Sequence, residues 1–253
     1  MNKSFEPSIS GVQRWNGLLR NGGVLAIIMG VIWVAVNFMA MTLYRSGQPT
    51  TAIGYLQLFS QHPALAATTW SLWIMADIMM IPLTAALYIT LKPASKTLAL
   101  GGAIMSLAFC IYDPLVSEWQ SLRLVSYSQA YAVATTESAK ASIVANATWI
   151  ANALPLMTFI SFFLTIGPLL FAIAMIKSSQ FRKGTAVFGI ATSLMAEIGA
   201  FAAIGVTSYI VGLLYVICVP AVALWFILVG GQMLRHYHKS VPVTNQLAIT
   251  KQM

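Results

Sequence analysis

Apolar residues dominate six long stretches of the chain, at about 22–44, 68–91, 98–116, 146–176, 185–206 and 208–234. Polar and basic residues collect between them. A bilayer core about 30 Å thick needs about 20 apolar residues per helix, so each stretch is long enough to cross. Backbone groups cannot stay unpaired in lipid, and the two-residue alternation of a barrel is absent, so the stretches are read as helices. The pattern predicts an all-α integral membrane bundle of six transmembrane helices, one domain over residues 1–240. Residues 241–253 form a polar, mobile tail, and the fifth and sixth spans join through a very short turn near Gly205. The first run is read as a retained helix and not a cleaved leader, because no A-x-A site follows it.

Composition sharpens this picture. The 253 residues are 58% hydrophobic and 8% charged, with mean hydropathy +0.79. Soluble domains are nearer 25% charged. The net charge of +8 then reads as basic flanks of membrane helices facing anionic lipid, and no nucleic-acid partner is expected. With both termini inside, the inner segments hold Lys3, Arg14, Arg20, Lys92, Lys96, Lys177, Arg182, Lys183, Arg235, Lys239 and Lys251. The outer segments hold Arg45, Arg123 and Lys140. That asymmetry places the chain in a cytoplasmic, inner-type membrane with cytoplasmic N- and C-termini. The long outer segment at 117–145 is rich in Ala and Ser. It is read as a further helix capped at Thr135 with Glu137 in its first turn, continuing into the fourth span beyond the membrane. This segment is either a structural cap or a lid.

Polar side chains inside the spans are the candidate chemistry, because ionisable groups there are costly. Asn37, Asp77, Asp113, Asn152 and Glu197 all fall in the outer half of their helices. Helical spacing puts each on a stripe with aromatic or small neighbours: Trp33 and Tyr44 with Asn37, Trp70 and Trp73 with Asp77, Trp149, Leu156 and Phe159 with Asn152. On the fifth span the stripe is Gly189, Ser193, Glu197 and Ala200. Pro82, Pro114 and Pro155 lie close by and free backbone carbonyls. The expectation is one outward-facing acidic and aromatic cavity formed by Asp77, Glu197, Asp113, Asn37, Asn152, Trp70, Trp73 and Trp149. No Lys or Arg lies in the spans to pair with the acids. Bland alternatives stand beside this one. Asn37 and Asn152 fit helix-packing contacts, the tryptophans fit an interfacial belt, and Asp113 fits a pair with Arg123. Gly101, Gly102, Gly199, Gly230 and Gly231 read as close helix contacts.

Other chemistries find no support. Cys110 and Cys218 form no metal motif, and His62, His236 and His238 lie outside the spans, so neither a metal site nor a cofactor is expected. There is no phosphate-binding loop and no nucleophile elbow.

Two stretches carry a family resemblance: DIMMIPLTAALYITLKPASKTLAL at 77–100 and GPLLFAIAMIKSSQFRKGTAVFGI at 167–190. With SQAYAVATTESAKASIVANATWIA at 128–151, the chain resembles, over about residues 60–200, a bacterial family of six-helix membrane proteins to which no activity is attached. The resemblance implies the six-helix architecture and no site residues.

Three functions are compatible with this reading. The first is binding or transport of a small cationic or amphipathic molecule in the outward cavity. The second is an accessory subunit of a larger membrane complex, its outer faces meeting partner helices. The third is an intramembrane acid/base enzyme acting on a lipid or isoprenoid, with Asp77 and Glu197 facing across a tunnel. Membrane lipid is the expected neighbour throughout, with a homo-oligomer or a membrane-complex partner compatible with the first two.

Overall fold

The computed structural model describes residues 9–45, 47–204 and 209–240. The expected turn near Gly205 and the tail at 241–253 lie outside the described residues. Within them the chain is helical, with α1 (Ile9–Leu43), α2 (Ala52–Gln61), α3 (Pro63–Leu91) and α4 (Lys96–Tyr112). A π-helical turn (Asp113–Glu118) leads into α5 (Trp119–Val133). Then follow α6 (Glu137–Leu164), α7 (Ile166–Ile176), α8 (Lys183–Gly199), a 3-10 turn (Ala200–Ile204) and α9 (Tyr209–Ser240).

Five helical segments are long and apolar enough to cross a membrane: Gly17–Leu43, Pro63–Leu91, Lys96–Val133, Glu137–Ile176 and Val216–Tyr237. The stretch expected as a fifth span behaves differently. Its α-helix stops after 17 residues at Gly199 and tightens into the 3-10 turn. That geometry rises about 2.0 Å per residue against about 1.5 Å, so the stretch still gains length along its axis.

Six rods close into a ring. α1 packs between α9 and α3, and α3 packs on α4. α4 meets α7, α7 meets α8, and α8 returns to α9. Small residues let the rods approach. A Cβ on Gly30 would lie 2.7 Å from the Ala223 carbonyl, and one on Gly23 would lie 2.9 Å from that of Gly230. Such backbone proximity favours van der Waals contact where lipid offers no hydrophobic driving force between helices. Gly102 takes the Phe171 ring against its bare face, whereas a Cβ on Gly231 would meet nothing within 4 Å. Gly231 is therefore no close contact, contrary to the sequence reading.

Two of the rods overshoot any bilayer. Lys96–Val133 spans 38 residues and Glu137–Ile176 spans 40, about 57 and 60 Å of helix. Their projecting halves, α5 and the first part of α6, pack with α2 around Tyr55, Leu56, Phe59, Leu124, Ile150 and Leu154. This second apolar core sits apart from the ring core around Met29, Leu87, Phe171 and Trp225. The helix expected to rise beyond the membrane and run into the fourth span is α6. Its start is set one residue later than Thr135: the Thr136 hydroxyl accepts from the Ala139 N–H at 3.2 Å. Thr136 thus satisfies one of the free donors of the first turn, with Glu137 placed at the positive end of the dipole. α2 had no counterpart in the hydropathy pattern, because at ten residues it is too short to register as a span.

At the opposite end, the turn between α7 and α8 is tied to α9. Gln232 Oε1 accepts from the Arg182 backbone N–H at 2.7 Å, and the Gln232 amide bonds to the Thr185 hydroxyl. The Trp225 indole N–H donates to the Thr185 carbonyl at 3.1 Å. These buried polar groups therefore find partners.

Candidate functional site: a buried acidic cluster beneath an aromatic chamber

Between the two apolar cores lies a cavity of about 640 Å³. Trp33, Trp70, Trp73, Phe59 and Phe109 give it aromatic walls, and Asp113 and Glu118 give it acid. Trp33 and Trp73 pack at a tilt, with ring centroids 5.7 Å apart and planes 56° from parallel. Arg45 and Gln48, both exposed, mark its mouth at the end of the bundle that carries α2 and α5. The volume is in the range of pockets that hold small organic molecules.

The carboxyls gather at one point. One oxygen from each of Asp77, Asp113 and Glu118 lies within 4.8 Å of the others. Asp77 comes from the middle of α3. Asp113 and Glu118 come from the two ends of the π-helical turn, and the turn is what unites them. In an α-helix, residues five apart point about 140° away from each other. Here the Trp119 N–H bonds back five residues to the Pro114 carbonyl, and that wider turn brings positions 113 and 118 onto one face. Pro114 favours the break, since it has no N–H to give to Cys110 and its ring crowds that carbonyl. Single π-turns inside helices recur at functional sites.

The cluster is buried and short of partners. Asp77 is 0% exposed and Glu118 2%. Outside the cluster, neither Asp77 oxygen has a hydrogen-bond partner, nor has Glu118 Oε2. Asp113 receives the Ser161 hydroxyl. Among the described residues the ion pair lies elsewhere, between Lys140 and Glu137 at 3.4 Å on the surface of α6. The anticipated pairing of Asp113 with Arg123 is replaced: Arg123 donates to Gln120 Oε1 and to the Tyr127 hydroxyl, at 3.0 and 2.9 Å. Two unit charges 4.8 Å apart repel by about 3.5 kcal/mol at an effective dielectric of about 20. A proton taken up by the cluster, or a cation among the three carboxylates, relieves that repulsion.

The residues expected to share the cavity divide into two groups. Asn37, Trp70, Trp73 and Asp113 line it, and Asp77 lies behind its floor against Asp113. Glu197 belongs to a different contact. It accepts from the Thr165 hydroxyl at 3.0 Å, and of this pair it is Thr165 that borders the cavity. Asn152 and Trp149 face outward, Trp149 being 60% exposed. The inner stripe of the fourth span is Leu154, Thr158, Ser161 and Thr165 instead. Ser161 also bonds its own helix at the Met157 carbonyl, 3.1 Å away, and hydroxyls give a weaker polar signal than an asparagine, so residue spacing alone points to the other face.

Glu118 is the site residue that sequence reasoning missed. It falls just beyond the apolar stretch at about 98–116, and it sits five residues from Asp113, a spacing that an α-helical pattern never groups. The available signal was Pro114 inside an uninterrupted helical stretch. In comparison with known proteins, no family model, no curated protein and no solved structure matches the chain.

Proposed function

We propose that the chain is a six-span membrane protein, with both termini on the cytoplasmic side, that binds and carries a small cationic or amphipathic molecule entering from outside. The observation that carries this reading is the three-carboxylate cluster beneath an aromatic chamber, with no basic partner among the described residues. Acids supply charge attraction, and indole faces attract cations through their quadrupole. The hydrocarbon lining suits an organic body, and the mouth beside α2 gives it a way in.

The sixth span in this reading is α8 with its 3-10 extension. Together these run 22 residues, the 17 of α8 and the 5 of the turn, or about 35 Å of rise. The cationic surplus of the loops at the α7–α8 turn sets the cytoplasmic side, and the chamber then opens outward.

Binding of ethidium, an aromatic cation, to the purified protein in detergent tests the reading by fluorescence anisotropy. Asp113→Asn is expected to weaken binding by about tenfold or more, the loss of one close charge contact. Saturable binding that Asp113→Asn and Glu118→Gln both leave unchanged would refute it, as would no binding at all across a panel of aromatic and alkyl ammonium ions.

A further inference from the structure

We infer that Asp77, Asp113 and Glu118 form a coordination site for a calcium-sized divalent cation at the floor of the chamber. The inference deepens the cation-binding reading of the same cavity and adds an inorganic ion that the sequence reading did not expect.

Donor chemistry comes first. All three groups offer carboxylate oxygen, and no His or Cys belongs to the cluster. Oxygen-only sets of this kind suit hard cations and disfavour zinc or copper. Separation comes next. Calcium takes oxygen ligands at about 2.3–2.6 Å, so two of its ligands lie at most about 4.6–5.2 Å apart. Three oxygens spread evenly about such an ion lie about 4.0–4.5 Å apart, and those of the cluster, all within 4.8 Å of one another, come near enough to share it. Magnesium requires near-ideal octahedral geometry at about 2.0–2.1 Å and is ordinarily held by one or two carboxylates, so a set of three favours the larger ion.

Burial supplies the independent indication. A carboxylate that braces a fold is ordinarily hydrogen-bonded. Asp77 is wholly buried, yet no group outside the cluster bonds either of its oxygens, while one of them lies close to both other acids. The second Glu118 oxygen, Oε2, is likewise unpartnered. Ser161 holds Asp113 in place from α6, so three separate segments converge on the ion position. The chamber provides room for the water molecules that complete the shell, since Asp113, Ser117 and Glu118 border it directly.

Terbium(III) is a suitable probe, because it replaces calcium and its emission is excited through nearby indole rings. Trp70 and Trp73 stand one to two helical turns from Asp77 on α3, and both border the chamber. The full chain in detergent, stripped with chelator, is titrated with terbium while tryptophan is excited. Saturable emission that calcium displaces, at least tenfold more effectively than magnesium, is expected. Asp77→Asn and Glu118→Gln should each weaken terbium binding tenfold or more. Glu137→Gln, which alters the exposed acid of α6, should not.

Absence of saturable emission overturns the inference, and so does emission that the Asp77→Asn, Glu118→Gln double variant retains. Displacement by magnesium as effective as that by calcium overturns the calcium-sized assignment. Ethidium binding, measured on the same samples, separates this inference from the reading it rests on. Ethidium bound without terbium removes only the metal site. Terbium bound without ethidium removes only the organic ligand. A retained elution volume in size-exclusion chromatography keeps a folding failure from passing as a lost site.

Discussion

Replacing Asp77 by asparagine should stabilise the protein when no cation is present. The side chain bonds nothing outside the cluster, and it takes part in two of the three carboxylate pairs, each at no more than 4.8 Å. At an effective dielectric of about 20, an ionised pair at that separation costs about 3.5 kcal/mol, so with all three acids ionised the loss of one charge relieves about 7 kcal/mol, and protons held in the cluster reduce this. Water in the open chamber screens part of this. Replacement of buried ionic groups in other proteins returns about 1–4 kcal/mol, and about 2 kcal/mol is the working figure. For a chain of this size that is a rise in midpoint of about 4–8 °C. Thermal unfolding in detergent with excess chelator, followed by tryptophan fluorescence, measures it. Added calcium should then close the gap from the other side: wild type gains about 2.7 kcal/mol at a hundred times its dissociation constant, and the variant gains little. A structural carboxylate behaves in the opposite way. If Asp77→Asn lowers the chelator midpoint by 2 °C or more, the side chain is bracing the fold and the charge argument is wrong.

Three further outcomes follow from the packing. Gly167→Ala should destabilise by about 1–3 kcal/mol, since its methyl would lie 2.7 Å from the Ser106 backbone N and 3.0 Å from the Gly102 carbonyl; an unchanged unfolding midpoint contradicts the close α4–α7 contact. Gln232→Ala should cost about 1–3 kcal/mol by stranding the Arg182 N–H and the Thr185 hydroxyl, and protease nicking at the α7–α8 turn reads the loosening. For orientation, a cysteine at Thr136 should react with an impermeant maleimide on intact cells and one at Gln180 only after permeabilisation. Cys110 and Cys218 are buried and give a low background; the reverse labelling pattern overturns the assigned sidedness.

Hydropathy made the helical class and the long spans legible, because lipid leaves the backbone few alternatives. It also exposed the faces of α1 and α3, where Asn37, Trp70 and Trp73 do border the chamber. Three things escaped it, each for a physical reason. The projecting halves of α5 and α6 bury their own apolar core with α2, so hydropathy alone does not separate lipid contact from protein contact. The fourth span turns a hydroxyl stripe inward and an asparagine outward, and a hydroxyl that can bond its own helix carries little hydropathy signal. The acidic cluster depends on a change of helical pitch, which residue spacing read at 3.6 per turn conceals. Glu197, assigned on that same fixed pitch, is instead held by Thr165.

The two helix irregularities at the chamber share one logic. α4 widens into its π-turn at Asp113, and the α6–α7 rod breaks at Thr165, three residues before Pro168. Each break has a proline that cannot donate to the preceding turn, and such backbone is tolerated at membrane depth only where protein or a polar cavity satisfies it. Both fall on the cavity wall: Asp113 and Thr165 line it, and Ser161, one turn before the second break, bonds to Asp113 at the first. An uninterrupted α-helix at the first place would swing Glu118 away from Asp113. The acids converge, then, because one rod gives up regular hydrogen bonding at the level of the chamber. That cost to stability is hard to account for if the chamber serves only as packing.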